Sequence, residues 1–178
     1  MAEAPTLRLW AGRGIYLLVA MALLFLRLLP IGHSPSGLPG PDLLVAVTFA
    51  WLLRRPDQVP LFSIAAVFLL ADMLFLRVPG LWALIMLLAS EFIRRKGVAG
   101  DVPFPAEWAA VSGVLVVSVL LEDAVLFVLM VPKVGTGVAL LQMLVTIALY
   151  PAVALALRLG LGLRRIIPGE TDRYGRAL

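Results

Sequence analysis

The chain has 178 residues, of which 62% are hydrophobic and only 15% charged, and its mean hydropathy is +1.02. A soluble domain this small covers its surface with about a quarter charged residues, so the composition excludes that class and calls for lipid as solvent. The formal net charge is +4 and cysteine is absent, which rules out disulfides and thiolate chemistry; the basic residues lie in short stretches between apolar runs, as a topology signal does, rather than in a patch for nucleic acid.

Crossing ~30 Å of hydrocarbon takes about 20 apolar residues in a helix, and six such runs are read in chain order. The first, 14–31, follows Arg8 and Arg13 and is interrupted by Arg27. Gly32-His33-Ser34-Pro35 offers no clean small-x-small cleavage site, so this run reads as a retained signal anchor. The second, 38–53, opens at Pro41-Asp42 and ends at Arg54-Arg55-Pro56-Asp57; its apolar part is short for a crossing. The third, 60–76, leads into the turn Arg77-Val78-Pro79-Gly80, and the fourth, 79–93, stops at Arg94-Arg95-Lys96. A polar loop runs to Pro105, the fifth run covers 108–131, and Pro132-Lys133-Val134-Gly135 turns the chain into the sixth, 137–157. The expected fold is therefore an all-α integral membrane protein, a six-transmembrane-helix bundle forming one domain over 1–165 with a basic tail over 166–178.

The positive-inside rule tests that map. With the N-terminus in the cytoplasm, the inner segments hold Arg8, Arg13, Arg54, Arg55, Arg94, Arg95, Lys96, Arg158, Arg164, Arg165, Arg173 and Arg176, whereas the outer ones hold Arg77 and Lys133. Both chain ends are thus expected in the cytoplasm. Trp10, Trp51, Trp82 and Trp108 fall at the ends of spans, where an indole anchors a helix at the headgroup level. The connections are too short to fold alone, which confines activity to the bilayer or to the gripping of a partner.

Ionisable residues inside spans are costly and tend to face the bundle interior. Glu91 is accounted for by Arg94 and Arg95, three and four residues on, as a helical pair. Counting ~1.5 Å per residue from the inner side, Arg27 lies ~20 Å up its helix, Asp72 ~18 Å, and Glu122 and Asp123 ~21–22 Å; Gln142 reaches the same level from the other side. The expectation is a polar layer in which Arg27 pairs with one or more of these carboxylates and fixes helix packing. A small-solute site and a proton relay are the functional alternatives. Glu122 and Asp123 point about 100° apart on a helix, which weakens paired-carboxylate chemistry. Pro151 should kink the sixth helix by removing a backbone donor, and His33 reads as a solvated loop residue. There is no phosphate loop, no His-Glu-x-x-His helix and no Gly-x-Ser-x-Gly elbow, and one histidine without cysteine makes a resident metal or other cofactor unexpected.

Several segments carry a resemblance. Pro41-Asp42-Leu43-Leu44 opening the second span, Arg55-Pro56 closing it, Phe68-Leu69-Leu70-Ala71-Asp72-Met73-Leu74 in the third, and Pro79-Gly80-Leu81 after it resemble the rod shape-determining MreD family. The tail from Pro168-Gly169-Glu170-Thr171-Asp172 to Arg176-Ala177-Leu178 is similar to tails of its alphaproteobacterial members. The resemblance implies a multi-pass protein of the bacterial cytoplasmic membrane, a non-enzymatic scaffold of the cell-elongation machinery that binds MreC. It also implies an assembly with MreB, RodA and a class B penicillin-binding transpeptidase. Lipid, and no nucleic acid, would be its other contact. The family fold is similar to the S component of energy-coupling-factor transporters, which supplies the alternative of a subunit binding a vitamin-like solute.

Overall fold

A computed structural model of the chain describes residues 3–29, 40–95, 103–131 and 135–160. Among the described residues the structure is helical without strands. The elements are α1 (Glu3–Leu28), α2 (Leu43–Leu52), a 3-10 turn at Pro56–Gln58, α3 (Leu61–Leu74), α4 (Leu81–Arg95), α5 (Phe104–Val128) and α6 (Thr136–Gly160). The expectations for His33, Lys96, Lys133, the whole of 30–39 and the tail lie outside the described residues.

Among the described residues three stretches are long and apolar enough to cross a membrane: Leu9–Leu28, Phe104–Val128 and Gly137–Gly160. The protein is compatible with a membrane location on that ground. The runs expected at 38–53, 60–76 and 79–93 form shorter helices of 10, 14 and 15 residues. At 1.5 Å per residue these rise ~15, ~21 and ~22 Å, against ~37 Å for the 25-residue α5 and α6. Punctuation cuts them short. Pro56 cannot supply the donor that α2 would need to continue, and both ends of the α3–α4 connection are set by turn geometry.

α2 is the centre of the fold. Its sequence Leu-Leu-Val-Ala-Val-Thr-Phe-Ala-Trp-Leu is apolar all round, so no face is reserved for a polar solvent, and Leu44 to Leu52 are all buried. It touches α1, α4 and α6, while α3 packs on α4, α4 on α5, α5 on α6, and α1 closes on α3. The single hydroxyl on α2 is satisfied twice. Thr48 Oγ1 donates to the Leu44 carbonyl at 2.7 Å, so it is Tyr16 Oη on α1 that donates to Thr48 across 3.2 Å. Tyr16 also stands edge-on to Trp51 at 5.8 Å.

The tryptophans divide. Trp10 and Trp108 are exposed, at 69% and 39%, but Trp51 and Trp82 are buried. Two of the four expected interface anchors are therefore core residues: Trp51 donates to Gln58 Oε1 at 3.0 Å, so its polar edge is bonded within the protein instead of to headgroups.

Pro151 leaves the Ile147 carbonyl, four residues earlier in α6, without its helical donor. The indole Nε1 of Trp108 on α5 fills that place, donating to Ile147 O at 2.9 Å. The proline thus creates a docking point between two helices.

Candidate functional site

Helices of alternating direction bring the ends of α1, α3 and α5 together with the starts of α2, α4 and α6. Arg27, in the last turn of α1, meets Asp42 at 2.8 Å and lies over the Phe75 ring, 4.7 Å from its centroid. Asp42 is the N-cap of α2: its Oδ1 accepts from Val45 N at 3.3 Å, and its own N–H donates to Thr146 Oγ1 at 2.8 Å. A cation at a helix C-terminus and an anion at an N-terminus are each favoured by the helix dipole, so the ion pair joins two ends that both stabilise it. The expected partners of Arg27 were Asp72, Glu122 and Asp123. Its ion pair is instead with Asp42, which the short α2 places next to the end of α1.

Asp72 is fully buried and is held by backbone. Its Oδ2 accepts from Gly80 N at 3.0 Å and Ala83 N at 3.1 Å, so a carboxylate on α3 caps the start of α4. The connection is geometrically tight. Arg77 N donates to Asp72 O at 3.0 Å and Leu76 N to Met73 O at 3.4 Å, the two bonds that define a Schellman ending. Leu76 sits at its left-handed position with φ 52°, and Gly80 follows at φ 84°. Asp72, Pro79 and Gly80, separate motif positions in the sequence, therefore form one capping unit. α5 ends in the same way: Met130 takes the left-handed position at φ 52°, and Val131 N donates to Leu126 O at 3.0 Å.

Between these helix ends lies a cleft of about 50 Å³ whose polar lining is Asp42, Arg77, Glu122, Gln142 and Thr146, with Trp82 among its apolar residues. Arg77 lies over Trp82, 5.5 Å from the ring centroid. Glu122 is near enough to Asp72 to interact with it electrostatically, as is Arg77. Asp123 is not among the lining residues, as the ~100° step along a helix dictates. The polar layer thus gathers Glu122 and Gln142 at the cleft, keeps Asp72 beside it as a cap, and gives Arg27 to Asp42. The volume has room for a few water molecules. Among the described residues no three histidine or carboxylate side chains are grouped to hold a metal ion.

The opposite end carries a second polar cluster that sequence reasoning does not anticipate. Arg54 donates to Ala50 O at 2.7 Å and reaches Glu107 Oε1 at 3.4 Å, and Tyr150 Oη donates to the same oxygen at 2.7 Å. All three residues are buried. An apolar run that begins at Trp108 leaves Glu107 in a polar loop; α5 instead starts at Phe104, which puts Glu107 in its first turn. The available signal is Pro103 and Pro105 followed by an acidic residue, a helix-start pattern. Nearby, the 3-10 turn that Pro56 opens is tied to α1 and α4. Arg13 Nε donates to Asp57 O at 3.3 Å, Arg94 Nη2 to Val59 O at 2.7 Å, and Arg94 Nη1 to Pro56 O at 3.5 Å. Glu91 pairs with Arg95 at 2.7 Å.

Comparison with protein-family models, with curated proteins and with solved structures finds no match for this chain.

Proposed function

We propose that the chain is a six-span bundle of the bacterial cytoplasmic membrane with both ends in the cytoplasm, and that it is a non-enzymatic scaffold of the cell-elongation machinery. It grips MreC and sits in one assembly with MreB, RodA and a class B penicillin-binding transpeptidase, as the likeness to the MreD family implies. The observation that carries this reading is the use made of the motif aspartates. Asp42 and Asp72 are committed to helix N-termini and to Arg27, so the residues that bear the family likeness hold the bundle's shape. A scaffold needs fixed helix faces, held by packing and interhelical hydrogen bonds.

The distribution of charge supports the six-span topology. Arg13, Arg54, Arg55, Arg94, Arg95 and Arg158 belong to one end and Arg27 and Arg77 to the other. The shorter α2, α3 and α4 are accommodated by their connections and by local bilayer thinning, at a fraction of a kcal/mol per Å. Because the chain lacks cysteine, single cysteines at positions 40 and 95 test the arrangement in cells. A membrane-impermeant maleimide should label position 40 and spare position 95. Depletion in a rod-shaped host, with pull-down of MreC, tests the role: rounding cells and recovered MreC are expected, and normal shape without MreC overturns it.

The cleft favours a second reading, a subunit that binds a small solute. Its 50 Å³ is well below the ~300–1,000 Å³ of ordinary ligand sites. A thermal-shift screen with vitamins is the direct check; a saturable shift would promote this reading over the scaffold.

A further inference from the structure

Two guanidinium groups bind the turn Pro56–Gln58 and its flank, and a third arginine adjoins it in sequence. Arg55 precedes it, Arg13 reaches it from α1 and Arg94 from α4, the last two through backbone carbonyls. Two donors in this cluster, Nε of Arg55 and Nε of Arg94, are buried without a hydrogen-bond partner. The carboxylates of the same end are engaged elsewhere: Glu107 with Arg54 and Tyr150, Glu91 with Arg95. Among the described side chains of this end, Asp57, exposed within the turn, is the remaining acid against Arg13, Arg55 and Arg94. Arg13, Arg55 and Arg94 are themselves only half-buried, so part of each side chain meets the outside, and a turn of the Arg55 or Arg94 side chain is what would bring its Nε to a headgroup.

We propose that this turn is a seat for the phosphate of an anionic lipid headgroup. A phosphate oxygen accepts from guanidinium N–H groups in pairs and at short range, which meets the two orphaned donors that no side chain here supplies. Position agrees with chemistry. The basic end of the bundle faces the leaflet surface where anionic lipids attract cations, and exposed Trp10, with Arg13 5.0 Å from its ring centroid, lies beside the cluster at headgroup level. The inference rests on the membrane reading only in placing this end at a bilayer surface, and it is independent of MreC.

The test uses the full chain purified in neutral detergent. Its unfolding is followed by tryptophan fluorescence, for which Trp51, bonded to Gln58 in the turn itself, is a local reporter. Dioleoyl phosphatidylglycerol, dioleoyl phosphatidylcholine and inorganic phosphate are titrated separately. Phosphatidylglycerol should raise the unfolding temperature and the other two should not. Arg55→Gln, which removes one orphaned donor, should weaken the lipid effect about five-fold, and the triple variant Arg13→Gln/Arg55→Gln/Arg94→Gln should abolish it. Arg95→Gln, at a cation already paired with Glu91, should leave it intact. Equal responses to the two lipids, or an unchanged response in Arg55→Gln, overturn the seat. A response to inorganic phosphate matching that to phosphatidylglycerol overturns the lipid as its occupant. A failed MreC pull-down with a positive lipid titration would remove the scaffold and keep the seat.

Discussion

The two ends of the bundle each carry an arginine–carboxylate pair, and they use it in opposite ways. Arg27 and Asp42 keep 34% and 14% of their side-chain surface and meet at 2.8 Å, and Asp42 borders an open cleft. Arg54 and Glu107 keep 8% and 2%, sit at 3.4 Å and depend on Ala50 O and Tyr150 Oη to complete their hydrogen bonding. The first pair gains from contact and helix dipoles while staying partly solvated. The second has given up nearly all its water, and removal of one partner strands the other in an apolar interior. The same chemistry thus makes a moderate clasp at one end and an obligatory lock at the other.

The largest effect should come from breaking the lock. Glu107→Ala leaves Arg54 buried with one carbonyl for company and deprives Tyr150 of its acceptor, so a loss of about 3–5 kcal/mol is expected. Arg54→Met/Glu107→Leu should recover most of that loss, because an apolar pair of similar volume has no charge to desolvate. Equilibrium unfolding in mixed micelles measures both. If Glu107→Ala costs no more than Arg27→Ala, the contrast between the two ends is wrong.

Asp72→Ala comes next, at about 2–3 kcal/mol, since it strips the acceptor from two amides at the start of α4. Asp72→Asn retains a side-chain oxygen and should lose roughly half as much. An equal loss for both variants would show that charge, rather than capping, is what α4 needs there. Arg27→Ala should follow at about 1 kcal/mol, the worth of a half-exposed pair and one cation–π contact.

Legibility in the sequence followed the physics of each signal. Apolar runs and proline or glycine breaks located all six helices, because both act locally. Their lengths were harder to read: the 38–53 run contains a helix of 10 residues, since a cap at Asp42 and a stop before Pro56 fix its ends more firmly than hydrophobicity does. Asp72 and Gly80 stand eight residues apart and are legible as motif positions, but their bond depends on the left-handed turn at Leu76, where leucine gives no sign of it. The Arg54–Glu107–Tyr150 cluster joins positions up to 96 apart, a separation that no periodicity reports. The partner of Arg27 is hidden for a related reason. Depth counted along one span at a time says nothing of which helix ends meet, and it treats Asp42 as a span opening instead of as a charge.

The smallest prediction addresses the clasp end alone and carries the opposite sign. Leu76 occupies the left-handed position of the α3 ending at φ 52° and is 93% exposed, so its side chain contributes almost nothing to packing within the protein. A residue with a Cβ is strained there by about 1–2 kcal/mol, which glycine escapes, although glycine also gives the unfolded chain more freedom and returns part of the gain. Leu76→Gly should therefore stabilise the protein by up to about 1 kcal/mol, whereas Leu76→Ala, which keeps the Cβ and discards only exposed surface, should be neutral. The difference between the two variants isolates backbone strain from side-chain loss. Alanine equal to or better than glycine would mean that the chain leaves α3 by another route, and with that route would go the amide pair that Asp72 caps.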